Sequence, residues 1–282
     1  MLIRIDPEKC TRCGACVADC PIRIVRMTEP GPMVAEDDAP LCIACGHCVA
    51  VCPEAALDHA AMTAATCPPV DRGEAFTPEQ AAQFLRARRS IRQYRERSVE
   101  PEVLVRLLRL ASWAPSGHNS QPVEWLVLSG PSEVRRMSGL VADWMRWLET
   151  AHPETFRLLH LDRVLGAAAR GEDRILRGAP HLIVAHAPKD SRVAPAAAIT
   201  ALAYLELAAT SLDLGTCWAG YFSAAAAVFT PLQEALALPD GHGTLGAAMV
   251  GYPVVRYSRI PLRREPRISW RHGHSDRGAP GA

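Results

Sequence analysis

The stretch CTRCGACVADCP runs from Cys10 to Pro21, and the same cysteine spacing returns in CIACGHCVAVCP from Cys42 to Pro53. Written out, the pattern is C-x2-C-x2-C-x3-C-P, twice. Eight of the ten cysteines lie in these two runs, which leaves only Cys67 and Cys217 for the rest of the 282 residues. The first three thiols of a run can wrap one loop around three corners of a cubane, while the fourth has moved on by a helical turn and in this arrangement serves the other cluster. The spacing predicts two [4Fe–4S] clusters, one on Cys10, Cys13, Cys16 and Cys52, the other on Cys42, Cys45, Cys48 and Cys20. Gly14 and Gly46 fall between ligands, where the missing Cβ lets backbone approach inorganic sulfide. Structural zinc also uses C-x2-C pairs, but it leaves the third cysteine of each run and the C-P endings without a role. A secreted disulfide framework fits poorly, because the long remainder of the chain carries just two cysteines. Reduced thiols committed to metal point to a reducing compartment, and so to a cytoplasmic protein.

Residues 1–60 resemble bacterial two-cluster ferredoxins along their whole length, and the doubled motif is the internal repeat that resemblance implies. The rest has the composition of an ordinary globular protein: about half the residues are apolar and the net charge is +1. No basic block points to nucleic acid. The longest apolar run, around Ala196–Leu205, is too short to span a bilayer and reads as a buried core helix, so no membrane is expected. The start of the chain, MLIRIDPEKC, does not read as a signal peptide.

Residues 61–76, rich in Ala, Pro and small polar side chains, read as a linker in which Cys67 is an unligated thiol. A second domain then spans 77–270, followed by a flexible tail over 271–282 in which His272 and His274 are solvated. Thr77, Pro78 and Gln80 spell a capped helix start with a capping box, and Val103, Leu107, Leu108 and Ala111 recur at helical spacing. Residues 123–130, 181–188 and 244–253 are short apolar runs that read as strands. Residues 194–214 form a long, nearly all-apolar helix closed by Gly215, to be buried on most sides, in part against a second copy of itself. Mixed helices and strands of this order indicate an α+β sandwich. Residues 138–178, charged and helical, with Trp144, Met145 and Trp147, read as an insert placed either to cover a pocket or to pack as ordinary helices.

Gly241, Gly243 and Gly246 spell G-x-G-x-x-G, but after a helix-like stretch and before a strand-like one. That is the reverse of a dinucleotide-binding turn, so these read as loop glycines. Four other segments carry more. RARRSIRQY gathers Arg86, Arg88, Arg89 and Arg92, guanidiniums suited to a dianionic phosphate. WAPSGHNSQP (113–122) offers amides and hydroxyls able to read a heterocycle edge. LGTCWAGYF (214–222) has glycines that free backbone N–H groups, and GYPVVRYSRIP (251–261) ends the last strand. Together these segments resemble the nitroreductase family of FMN flavoproteins over about residues 78–268, and the whole chain resembles its ferredoxin-fused branch.

The resemblance implies an α/β sandwich, a homodimer and FMN at the subunit interface. It matches Arg88, Arg89, Ser90 and Arg92 to phosphate and ribityl contacts, and Arg259 to a second phosphate-binding arginine. Pro115, Ser116, Gly117, Asn119 and Gln121 match a loop that contacts the flavin, partly from the partner. Ala219 and Gly220 match the turn whose backbone N–H faces flavin N5. Some members carry an acidic residue beside that glycine, where this chain has Ala219, which leaves ring polarisation to backbone groups. Cys217 reads as a small buried filler, and His118 as a loop histidine facing solvent or ribityl; no catalytic acid stands out. The expected function is an oxidoreductase that passes electrons from a low-potential donor through two clusters to FMN and on to a small organic acceptor such as a nitroaromatic or quinone. Enoate reduction or dehalogenation on the same scaffold, and a non-enzymatic flavin/iron–sulfur electron carrier, are the alternatives.

Overall fold

The fold is that of a computed structural model describing residues 1–271. Of the tail expected from 271 onward, His272 and His274 lie outside the described residues.

The repeat in the sequence is a repeat in the backbone. The N-terminal unit comprises β1 (Ile3–Ile5), α1 (Ala15–Ala18), β2 (Val25–Thr28), β3 (Gly31–Val34), α2 (His47–Ala50) and β4 (Leu57–His59). β1 pairs antiparallel with β4, and β2 with β3. Gly14 and Gly46 open the two short helices in the left-handed region, at φ 79° and 75°. Arg12 and Ala44, then Arg23 and Ala55, repeat the same left-handed turns at corresponding places. The buried apolar core of this unit is small: Ile3, Cys16, Val25, Val49 and Leu57 form one cluster, with Ile24 and Ala56 buried beside it. A core that small calls for a metal or covalent brace. The start of the stretch read as a linker keeps contact with this unit: Ala64 donates its N–H to Asp58 Oδ1 (2.9 Å), and Cys67, a free thiol, packs against its core.

The second unit contains α3 (Pro78–Ala87), α4 (Pro101–Ala111), β5 (Glu124–Ser129), α5 (Pro131–Ala151), α6 (Pro153–Leu158), α7 (Leu161–Ala169), β6 (His181–Pro188), α8 (Ala194–Ser211), β7 (Gly215–Trp218), α9 (Gly220–Val228), α10 (Thr230–Leu236) and β8 (His242–Gly251). The capping box of α3 forms as spelled: Gln80 N–H donates to Thr77 Oγ1, and Thr77 N–H to Gln80 Oε1. The sheet runs β5-β6-β8-β7, every neighbour antiparallel. Its central strands are buried on both faces, so their sequences read as unbroken apolar runs. The alternation shows only in where side chains go. Leu182, Val184, Ala247 and Met249 face the layer of α5, α7, α9 and α10, while Ile183, Ala185, Ala248 and Val250 face α4 and α8. Residues 138–178 are part of that first layer. Val141, Trp144, Met145 and Leu148 on α5 and Leu161 on α7 are built into the core, which is ordinary helix packing.

By length and composition α8 could cross a membrane. Its Ala198, Leu202, Leu205 and Ala209 are fully buried on the sheet, while Ile199 and Tyr204 on the far side are exposed. Gly246 lets α8 come close: at φ 144°, a Cβ there would stand 2.8 Å from Leu202 Cδ1. Gly243 and Gly246 lie within β8, after α10, so the G-x-G-x-x-G is a strand feature.

His181, at the start of β6, is fully buried. Its Nε2 accepts the Val99 N–H at 2.8 Å, so the ring proton sits on Nδ1, 3.0 Å from Ser129 Oγ. This arrangement requires a neutral ring, and burial lowers the pKa from 6.5; His186 is lowered for the same first reason. The unfolded chain then binds the extra protons first, so this stability is complete above about pH 6.5 and is lost as pH falls through the folded values. A urea midpoint that declines between about pH 7.5 and 5.5 is the expected result; a flat midpoint would contradict it.

Candidate functional site

The eight thiols of the two runs sort into two quartets by exchange. One small cavity is lined by Cys10, Cys13, Cys16 and Cys52, with Ile5 and Leu57 as apolar walls. The other is lined by Cys20, Cys42, Cys45 and Cys48, with Ile22, Val25 and His59. Burial pushes the Cys48 thiol up to about 11, and the neighbouring Cys45 and Cys42 push the same way. Burial also raises Cys16, again with its quartet partners Cys52 and Cys10 adding to it. Burial raises Cys20 too, but the N–H groups of Ile24, Val25, Ile22 and Arg23 outweigh it and hold this thiol below its ordinary value. Several thiolates in one apolar cavity repel each other unless a thiophilic metal core neutralises them, so the donor sets fit [4Fe–4S] clusters.

A second site lies in the larger unit. The chain after α3 is laced to the sheet by Ile91 N–H to Thr216 O (2.8 Å), Arg95 N–H to Tyr252 O (2.9 Å) and Val254 N–H to Gln93 O (3.1 Å). Between these segments opens a cleft of about 330 Å3 lined by Arg88, Arg89, Thr216, Tyr252, Arg256 and Tyr257 among others. The two leading arginines differ in role. Arg88 is committed to Glu206 on α8 (2.7 Å), a half-buried pair that neutralises the charge in that apolar helix. Arg89 stacks 5.8 Å above the Tyr257 ring, and its buried Nε has no partner. Among the described residues only Trp144 Nε1 shares that condition. A buried guanidinium donor without an acceptor calls for a ligand, and a phosphate group suits it.

Ser90 and Arg92 lie beside Cys217, whose thiol is raised by burial and opposed by Arg92 and Arg177. Cys217 is buried, as expected of a filler. Arg177 carries no motif in the sequence. It sits at φ 58° in a loop tied by Asp173, whose carboxylate accepts the N–H groups of Ile175, Leu176 and Gly178. Arg256 is likewise a cleft residue with no motif, 3.7 Å from Asp213, whereas Arg259 is exposed and does not line the cleft. Of the turn at 219–220, Ala219 has its N–H taken by Ala247 O (2.8 Å), so Gly220 at the open start of α9 holds the uncommitted N–H.

The loop 115–121 stands apart from that cleft within one chain. Its shape is internal: Gln121 N–H donates to Ser116 Oγ (2.9 Å), and His118, Asn119 and Gln121 all adopt positive φ. Gly117 approaches Val193 closely, where a Cβ would stand 2.9 Å from Val193 Cγ1. Asn119 turns to the ferredoxin unit. Its Nδ2 donates to Ile43 O (3.3 Å) and Ala44 O (3.1 Å), and its Oδ1 accepts Gln121 Nε2 (3.2 Å). Within one chain this amide thus bonds both to the N-terminal unit and to its own loop. Pro115, Ser116, Gly117 and Gln121 remain on the loop. Elsewhere Glu124, His186 and His242 lie within 4.8 Å of one another; a His186–His242 Nδ1–Nδ1 hydrogen bond of 3.0 Å accounts for both imidazoles.

Comparison with known proteins places both units in families. A family model described as the nitroreductase family matches residues 85–252, and one described as a 4Fe-4S dicluster domain matches residues 9–57. A solved nitroreductase with bound FMN from Desulfitobacterium hafniense DCB-2 superposes with a TM-score of 0.56 at 20% identity, covering 70% of this chain and 100% of that one. Another, from Bacteroides fragilis NCTC 9343 and also with bound FMN, has a TM-score of 0.51 at 18% identity, covering 67% and 95%. These two likenesses are of fold. The nitroreductase match spans more than half of the sequence, and the chain is therefore a member of the nitroreductase family that carries an N-terminal 4Fe–4S dicluster domain.

Proposed function

We propose that this protein is an oxidoreductase in which electrons from a low-potential donor enter through two [4Fe–4S] clusters, are paired on FMN and leave to an organic acceptor such as a nitroaromatic or a quinone. The observation that carries this reading is that two cysteine quartets and a cleft with a buried, unpartnered Arg89 Nε occur on one chain whose two units touch at Asn119. Cys10, Cys13, Cys16 and Cys52 hold one cluster, and Cys20, Cys42, Cys45 and Cys48 the other. Arg89 binds the FMN phosphate, with Ser90 and Arg92 beside it and Arg256 adding positive charge at the rim. Arg88 tethers this segment to α8 through Glu206. The Gly220 N–H is the donor offered to the ring, while Ala219 fixes the turn. Pro115, Ser116, Gly117 and Gln121 contribute a wall, and Arg259 remains a candidate for phosphate only if its segment folds inward on a second chain.

The protein works as a homodimer on this reading. Leu85 on α3, Ile199 and Tyr204 on α8, and Leu262 and Trp270 in the extended C-terminal arm are exposed apolar groups on one chain. A second copy is the cover we assign to them. Ten free thiols and no disulfide among the described residues suit a reducing, cytoplasmic setting.

The test is anaerobic reconstitution with analysis of iron, sulfide and flavin, followed by reoxidation of the reduced protein by nitroaromatics, quinones and enoates. Both cofactor types bound, and rapid reoxidation by nitroaromatics or quinones, are expected. Fewer than about four irons per chain together with no flavin ends the reading. Reoxidation by enoates alone moves the reaction class, and reoxidation only by a partner protein makes the chain an electron carrier.

A further inference from the structure

The two halves of the ferredoxin unit share cysteine spacing, a short helix and left-handed turns at corresponding places, so the places where they differ carry information. Two such places fall on the second cysteine run, and both bear on its coupling to the nitroreductase unit.

The first is the turn between the leading two cysteines. Cys10-Thr11-Arg12-Cys13 corresponds to Cys42-Ile43-Ala44-Cys45, and Arg12 and Ala44 share the left-handed conformation, at φ 58° and 49°. Arg12 is exposed and folds its side chain back onto its own unit, donating to Glu29 O and to Thr28 O (2.9 Å). Ala44 has nothing beyond Cβ, which leaves the carbonyls of Ile43 and Ala44 open. Those are the two groups that Asn119 binds, at 3.3 and 3.1 Å. Cys13 beside Arg12 is exposed, whereas its counterpart Cys45 is half-buried. One run is thus presented outward, and the other is held against the nitroreductase unit by a side-chain amide that bonds both open carbonyls.

The second is at the end of β4. Leu57 follows Cys52 as Val25 follows Cys20, so His59 corresponds to Met27. Met27 is exposed; His59 is buried. Ala61 donates its N–H to His59 Nδ1 (3.0 Å), which fixes the ring proton on Nε2, and Nε2 lies 3.4 Å from Cys42 Sγ. The second quartet therefore receives an imidazole N–H···S hydrogen bond that Met27 has no donor to supply to the first. Hydrogen bonds to cluster sulfur and exclusion of solvent are among the factors that set cluster potential.

We infer that the quartet Cys20, Cys42, Cys45 and Cys48 is the exit of the ferredoxin unit toward the nitroreductase unit, with Asn119 and His59 as its positioning residues. The inference rests on the two-cluster and FMN reading given above. Asn119 holds the seam at the Cys42–Cys45 turn. His59 favours the reduced state of the exit quartet over that of the entry quartet Cys10, Cys13, Cys16 and Cys52, so electrons accumulate on the side of the seam. Each electron gained by the flavin is one lost by the exit quartet, and two such transfers with protons from solvent complete the reduction.

The test uses the reconstituted full-length protein, a reduced bacterial two-cluster ferredoxin as donor, potentiometric titration followed by electron paramagnetic resonance, and stopped-flow absorbance. Wild-type protein lacking iron or flavin would reject the underlying reading before any variant is compared. With both present, His59→Leu is expected to make one cluster harder to reduce by about tenfold in equilibrium constant, about 59 mV for one electron, and to leave the other unchanged. In Cys52→Ser, which keeps the exit quartet, the same shift persists on adding His59→Leu; in Cys20→Ser, which keeps the entry quartet, it vanishes. Asn119→Ala is expected to slow flavin reduction by tenfold or more at unchanged iron, flavin and cluster potentials, with Asn119→Gln partly restoring the rate. The double variant Cys20→Ser/Cys52→Ser sets the background rate of direct flavin reduction. The inference is overturned if His59→Leu moves neither potential or moves that of the entry quartet. It is equally overturned if Asn119→Ala reduces its flavin at the wild-type rate, or if Cys20→Ser outpaces Cys52→Ser.

Discussion

Cys20→Ser is expected to abolish the cluster of the second cysteine run while sparing the run in which Cys20 itself lies. Cys20 lines the cavity of Cys42, Cys45 and Cys48, and Cys52 lines that of Cys10, Cys13 and Cys16. Loss of one thiolate leaves three ligands and an open iron corner, so each single variant should retain about half of the wild-type iron and sulfide. The survivors must differ: the cluster left in Cys52→Ser keeps the His59 hydrogen bond to Cys42, and the one left in Cys20→Ser does not. A Cys20→Ser protein whose surviving cluster still shifts on adding His59→Leu would contradict the exchange. The loss should also be felt as stability. The largest buried cluster of this unit has only five residues, so the metal supplies part of the folding free energy. Limited proteolysis within residues 1–60 should accelerate in both variants while the nitroreductase domain persists.

Arg89→Ala should yield protein that folds and retains iron but has lost most of its flavin. A charge-assisted hydrogen bond contributes about 1.5–3 kcal/mol, so FMN affinity should fall roughly tenfold to a hundredfold. Arg89→Lys should recover little, because a point charge cannot replace a planar guanidinium that stacks and pairs bidentately. Its neighbour should behave otherwise. Arg88→Ala strips the partner from Glu206, whose side chain is 13% exposed, and leaves a carboxylate in an apolar helix. The cost should be on the order of 2 kcal/mol of stability, below that of a fully buried pair. Adding Glu206→Gln should return most of it, whereas no change at Glu206 should rescue flavin binding in Arg89→Ala. Equilibrium dialysis of FMN and urea denaturation separate the two outcomes. Equal flavin loss in both variants would mean that the two arginines share one role.

Adjacent arginines with opposite fates show where sequence reading stops. RARRSIR announces a cationic cluster, but nothing in it says that one guanidinium will meet a glutamate more than a hundred positions later. The same holds for Arg177, which gains its place from a loop folded around Asp173, and for Arg256, which lines the cleft where Arg259 was expected. Residues 138–178 leave two readings open for a related reason. A helix that is charged on one side and aromatic on the other looks the same whether it caps a pocket or covers a sheet. Only the presence of α9, α10 and the β6–β8 face on its apolar side decides.

What the sequence determined by itself is the part governed by local chemistry. Cysteine spacing specifies the ligand set, because a cubane accepts only certain chain lengths between corners. Capping residues and glycines mark helix ends, because backbone N–H groups and left-handed turns are satisfied by immediate neighbours. Tertiary structure alone decided which arginine is free, which loop meets which domain and which of two like quartets lies at the seam. Those outcomes depend on pairings between distant segments, such as Asn119 with Ile43 and Ala44, whose geometry exists only once the chain has folded.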